Sequence, residues 1–272
     1  LAMTDLSGIL ILSDLDGTLL NDSLDISPEN RAAIDDFIGK GGRFTVATGR
    51  SLAGTEHFFP RLRINAPAIL YNGSLIYDFD TGRDVFSVNV GETGAALAAR
   101  LEGEYPQLGV EAYAAHRPHV IQDGPRTRAH FASTRMPWHL CTRGEVPQPW
   151  LSLVLTGERE DLSRAARDIE AWFPGRFFLQ FSSEHLLEVM AAGASKGESS
   201  RRLQEYLGIP PDRVFAVGDG TNDVQLLSST PHSCAPKNAC PAILSRARHL
   251  LPDNEHHAIA ALIHQIEKGE LL

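Results

Sequence analysis

The stretch ILILSDLDGTLLND, residues 9–22, decides the fold. Four aliphatic residues run into two aspartates, Asp14 and Asp16, and then into a glycine. An apolar run that ends in polar residues and glycine reads as a buried strand entering a turn. Alternate side chains of an extended chain share a face, so Asp14 and Asp16 can point the same way with Leu15 opposed. Two like charges that close repel unless a cation or a shared proton compensates. Either the pair lies in solvent, or it holds something positive.

The same pattern recurs along the chain. GGRFTVATGR carries Phe44, Val46 and Ala47 into Thr48, Gly49 and Arg50; PAILYNG carries Ile69 and Leu70 into Asn72 and Gly73. RVFAVGDGTND carries residues 214–217 into Gly218, Asp219, Asn222 and Asp223. Short runs that are mostly apolar fit a parallel sheet covered on both faces. Helices are expected between them. Ser27-Pro28 reads as a cap and first helical position, with Gly41-Gly42 as the stop. A second helix is expected from Lys196 to Leu207, ended by Gly208. Alternating strand and helix predicts an α/β class, with a doubly wound, mainly parallel, Rossmann-like core. Ligands bind such sheets at the carboxyl ends of the strands, where every polar cluster above gathers.

The middle of the chain reads differently. Helices are expected over 92–105 and 159–172, with strands in GVEAY, PHVIQ, WLSLVLTG and RFFLQF. Alternation through Leu151, Leu153 and Leu155, and in Phe178 and Phe181, predicts an antiparallel sheet with one exposed face. This predicts a core of 1–78 and 188–272 interrupted by an α+β cap over 79–187, with DFDTGR and AAGAS as the two hinges. The insertion's histidines (His116, His119, His130, His139, His185) lack metal-ligand spacing and read as surface residues. Cys141, Cys234 and Cys240 show neither zinc spacing nor a disulfide framework.

Composition sets the surroundings. A chain of 272 residues suits one large domain or two moderate ones, and 43% hydrophobic residues supply an ordinary core. The formal net charge of -9 argues against a nucleic-acid binder. It also means that an anionic substrate must be drawn by a local site rather than by the global field. No stretch reaches membrane length, and Asp5 precedes the first apolar run without a basic segment. A cytoplasmic protein with no membrane partner and no signal peptide is the expectation.

DLDGTLL, the threonine of ATGR, the lysine of ASKGESSRRL and GDGTND stand in the order of the four motifs of the haloacid dehalogenase superfamily. The chain resembles that superfamily's Cof-type sugar phosphatases, which carry a large α/β cap between the second and third motifs. The resemblance implies Asp14 as the nucleophile that becomes an aspartyl phosphate. It implies Asp16 as the acid for the leaving oxygen and then the base for water. Magnesium would be held by the Asp14 carboxylate, the Asp16 carbonyl and Asp219. Substrate phosphate would meet Thr48, Gly49, Arg50, Asn72 and Lys196, with Asn254 of LPDNEHHAIA as a further phosphate-side candidate. Asn222 and Asp223 would support the metal and Lys196 from behind. The implied substrate is a small phosphorylated metabolite, a sugar phosphate first.

Each residue also has a plainer reading. DGT alone is a common turn, Asp223 suits any first helical turn, and Thr48 could cap a helix beginning near Leu52. Lys196 opens a helix, where the dipole disfavours a cation, so its placement favours function. A phosphomutase of the same fold is the nearest alternative. A phospho-accepting signalling receiver also uses Asp, Thr and Lys at strand ends, but has no reason to carry a second aspartate beside the first. A catalytically silent binding protein is the third. Cation-pumping ATPases share GDG and ND, but need membrane helices and a Lys-Thr-Gly-Thr sequence after the phosphorylated aspartate, and this sequence offers neither.

Overall fold

The computed structural model describes residues 6–134 and 136–271. The strands are β1 Leu10–Ser13, β2 Arg43–Val46, β3 Ala68–Leu70, β4 Leu75–Asp78 and β5 Arg83–Ser87. The insertion holds β6 Gly109–Ala114, β7 Arg117–Gln122, β8 Trp150–Thr156, β9 Phe177–Ser183 and β10 Leu186–Ala191. The chain closes with β11 Val214–Val217, β12 His232–Pro236 and β13 His249–Leu251. It divides into two compact units: one formed by the residues through Phe86 and from Ser195 onward, the other by Ser87–Ala194 together with Gly49–Glu56.

The first unit is built on a five-stranded parallel sheet in the order β13-β12-β11-β1-β2. Every residue of β1 and β11 is buried, as apolar strands covered on both faces require. On one face Leu10, Leu12, Val214 and Ala216 pack with Leu203 and Leu226. The helix Pro28–Gly39 starts where Ser27 accepts the Asn30 amide, and Gly41 (φ 92°) turns the chain into β2. Ser195 caps the helix Lys196–Leu207 by accepting the Glu198 amide, and Gly208 ends it in the left-handed region.

Three features of this unit differ from the sequence expectation. β3 joins the parallel sheet only through a single bridge between Ala47 and Ile69; it lies instead in the antiparallel sheet β3-β4-β5. DFDTGR is no hinge but the turn of the β4-β5 hairpin, where Asp78 accepts the amides of Asp80 and Thr81. β12, HSCAP, is a fully buried strand whose small and polar residues hid it from a hydrophobic reading.

The second unit is an antiparallel five-stranded sheet in the order β7-β6-β8-β10-β9. The helices Gly91–Glu104 and Arg159–Trp172 cover it, placing Leu97, Leu101, Leu162 and Ile169 against Leu153, Leu155, Leu187 and Val189. Along β9 the side chains facing these helices are Phe177, Leu179 and Phe181, not Phe178. A strand alternates every two residues, and 178 and 181 cannot share a face. β10 carries residues 188–191 into this sheet by pairing with both β8 and β9, so the unit ends at Ala194, inside AAGAS. Its other boundary falls after Phe86 rather than at 78.

The helix Thr127–Thr134, unforeseen in the sequence, brings His130 against Glu111 of β6 at 3.0 Å. His130 is therefore no surface residue. No helix among the described residues is long and apolar enough to cross a membrane.

Candidate active site

β1 ends one residue before Asp14, whose amide donates to the Val217 carbonyl at 2.9 Å and ties it to the end of β11. The Ser13 hydroxyl fixes the Asp14 carbonyl from the other side at 2.7 Å. The chain then makes one wide turn over Leu15–Leu19, in which Asp16 leaves helical geometry and is exposed. Gly17 sits at φ 70°, and a Cβ there would stand 2.5 Å from an Asp219 carboxylate oxygen. Only glycine lets Asp219 come this close. The Thr18 hydroxyl donates to Asp219 Oδ1 at 2.8 Å, joining the turn to the end of β11 across 201 residues of sequence.

Lys196 is fully buried at the start of its helix. Its Nζ lies 2.9 Å from Asp14 Oδ1 and 2.7 Å from Asp223 Oδ1. An ammonium has three donors, and these two carboxylates take two of them. The other oxygen of Asp223 accepts the amides of Asp219 and Gly220, both at 3.0 Å. Asp223 is thus a strut that holds the lysine with one oxygen and the GDG loop with the other.

Oxygens of Asp14, Asp219 and Asp223 all lie within 4.8 Å of one another. Three carboxylates face a single ammonium, so two negative charges are uncompensated. The strain shows in the acidities. Burial and the nearby Asp223 charge push Asp14 well above the usual carboxylate range. Burial, with Asp223 adding to it, pushes Asp219 up to about 6. Burial alone would lower Lys196, yet the Asp14 and Asp223 charges outweigh it and raise its pKa. An all-oxygen cluster with this excess fits a hard divalent cation. Because both Asp223 oxygens are already engaged, Asp14 and Asp219 are the carboxylates with capacity to hold one.

The remaining predicted residues fall into three groups. Thr48 is buried directly after β2 and its isolated bridge; its amide donates to Ile69 and its carbonyl accepts the Asn72 amide at 3.1 Å. It caps no helix, since Ser51 accepts the Gly54 amide and caps the turn Leu52–Thr55. Asn72 adopts the left-handed region (φ 50°), and its Oδ1 accepts the Asn222 amide at 3.1 Å. Gly73, with φ 102°, is packed so that a Cβ would lie 2.2 Å from the Ser195 carbonyl, and Ser199 donates to its carbonyl at 2.7 Å. The 71–73 turn is therefore locked to the start of the Lys196 helix.

Asn254 gives its side-chain amide to the Leu20 carbonyl and to Asp22, both at 3.1 Å. It braces the loop that follows Asp14. Gly49 and Arg50 group with the second unit, where Arg50 reaches the Gly54 carbonyl at 3.4 Å. One residue escaped the sequence reading: Asn238, just past β12, donates to the Gly17 carbonyl at 2.7 Å and accepts the Asn254 amide at 3.0 Å. Its sequence signal is its position after β12, a strand whose small and polar residues conceal it.

A family model of haloacid dehalogenase-like hydrolases matches residues 11–263, and the chain belongs to that family. The hydrolases of this family generally use a divalent metal, and the aspartate cluster could hold one. The chain is 24% identical over 270 residues to the HMP-PP phosphatase of Klebsiella pneumoniae, covering 95% of this chain and 96% of that one. It is 26% identical over 287 residues to the 5-amino-6-(5-phospho-D-ribitylamino)uracil phosphatase YwtE of Bacillus subtilis, covering 96% and 98%. A haloacid dehalogenase-like hydrolase from Bacteroides thetaiotaomicron shares the fold with a TM-score of 0.87 at 22% identity, covering 95% of this chain and 99% of that one.

Proposed function

We propose that this phosphoric monoester hydrolase acts on a small phosphorylated metabolite, a sugar or polyol phosphate first, with magnesium and through an aspartyl phosphate on Asp14. The observation that carries the reading is the buried Lys196 ammonium set between Asp14 and Asp223, beside Asp219. A lysine held at the first turn of a helix against the dipole, with its charge facing a carboxylate pair, suits an anionic group arriving beside Asp14. The relative whose name specifies a ribityl phosphate supports a polyol phosphate as substrate class.

In this reading an Asp14 oxygen attacks phosphorus, and the bond from phosphorus to the ester oxygen breaks. The exposed Asp16 gives its proton to that leaving oxygen, then takes one from the water that cleaves the acyl phosphate. Lys196 and Thr48 hold phosphoryl oxygens. Magnesium, when bound, supplies charge neutralisation at the phosphoryl group. Asp223, Asn222 and Asn72 keep the GDG loop and the 71–73 turn in register.

The test is turnover of phosphorylated sugars and polyols in heavy-oxygen water, with and without chelator. The expected result is label in released phosphate, lost on chelation and restored by magnesium. An isomeric sugar phosphate as the main product would make the protein a mutase, and undiminished turnover after exhaustive chelation would remove the metal.

A further inference from the structure

We propose that the inserted unit carries a second metal site, of the zinc type, formed by His119, His139 and Cys141. The ligand atoms of the three side chains all lie within 4.8 Å of one another. None of them is near in sequence to the aspartate cluster, and the donor chemistry is different. Two imidazoles and a thiol select zinc or a similar borderline ion, whereas magnesium and calcium take oxygen ligands.

The backbone makes the site. After the helix Thr127–Thr134 the chain returns alongside β7, where Val120 donates to His139 and Cys141 donates to Val120 at 2.9 Å. Val120 and Leu140 thus stand opposite each other in a parallel bridge. Alternation then puts their neighbours His119, His139 and Cys141 together on the other face. Spacing alone conceals this, because one ligand comes from a strand and two from a returning segment some twenty residues later.

His119 supplies the second observation. Its ring is hydrogen-bonded to the Ala114 backbone, while its Nε2 is buried with no partner among the described residues. A metal-binding imidazole shows this arrangement: one nitrogen is oriented by a backbone carbonyl and the other is kept bare for the ion. A buried ring nitrogen without a partner is costly, and an ion at this cluster would supply the missing partner. His139 is exposed and leaves a way in for the ion. Arg117 lies close enough to act against a cation, and the Glu145 carboxylate close enough to Cys141 and His139 to act for it. The Cys141 thiol now points to the Val120 carbonyl at 3.6 Å. On binding, its proton passes to solvent and the thiolate joins the ion, adding a negative charge to the site.

The test uses the full-length protein with saturating magnesium, titrated with cobalt(II) and then zinc. The expected result is one cobalt per chain with a thiolate-to-cobalt charge-transfer band, displaced by zinc. Cys141→Ser abolishes the band and weakens zinc by at least about tenfold, with magnesium-dependent turnover unchanged. His139→Gln, at an exposed position, does the same to zinc with an unaltered circular dichroism spectrum. Absence of the band in the unmutated protein, or its survival in Cys141→Ser, overturns the proposal.

Discussion

Asp14 is placed by backbone at both ends and by Lys196 at its carboxylate, so Asp14→Asn keeps the shape and loses the charge that the proposed mechanism uses for attack. Steady-state turnover of that variant is expected to fall about 10⁴-fold or more, with the melting temperature unchanged or raised, because one of three crowded carboxylates becomes neutral. Gly17→Ala tests the close approach of Asp219. Its φ of 70° and the 2.5 Å clash force the turn and the carboxylate apart, and magnesium affinity measured by calorimetry is expected to drop at least about tenfold. Asp14, Asp219 and Asp223 were legible because each lies in a short local pattern after an apolar run, and Lys196 because it heads a helix, where the dipole disfavours a cation. Asn238 was not, since its strand has too few aliphatic residues, and the His119, His139 and Cys141 set was not, since their meeting depends on a pairing that no local pattern announces.

At the level of elements, the sequence reveals strands and helices where burial is periodic and fails where turn and linker share a composition. Aspartate, threonine and glycine in DFDTGR serve a hairpin as readily as a hinge; only the pairing of β4 with β5 decides. The helix Thr127–Thr134 was hidden because it buries only Thr127 and Phe131 and fixes itself through His130. Burial raises the Glu111 pKa above 4.5. Burial lowers that of His130, but the hydrogen bond and charge of Glu111 prevail and raise it above 6.5. Both groups therefore bind protons more tightly when folded, so stability falls as pH rises. The Glu111 share is complete below pH 4.5 and is lost through its higher folded value. The His130 share is complete below pH 6.5 and is lost as pH climbs through its own. His130→Gln is expected to cost about 3 kcal/mol by leaving Glu111 buried without its partner. It should also remove the His130 share of the pH dependence of urea unfolding and carry the Glu111 share to higher pH, since the His130 hydrogen bond and charge hold the Glu111 value down.

At the level of the molecule, two hydrophobic cores are made from different stretches of chain. Scanning calorimetry is expected to show two transitions, of which magnesium raises the one belonging to the aspartate cluster, by about 2.7 kcal/mol at a hundred times its dissociation constant. His130→Gln should lower only the other; a single transition moved by both would contradict this. The order of the strands also carries a consequence for synthesis. β1 is an interior strand, flanked by β2 on one side and by β11 on the other. At 5–20 residues per second, roughly 10–40 s separate the emergence of β1 from that of β11. Throughout that interval one of the most apolar edges in the chain has no mate, while the whole of the inserted unit leaves the ribosome and completes its own core. The inserted unit is complete before the unit that surrounds it in sequence, and nascent chains whose emerged part ends just short of residue 214 should already protect the insertion from protease while β1 is held by chaperone.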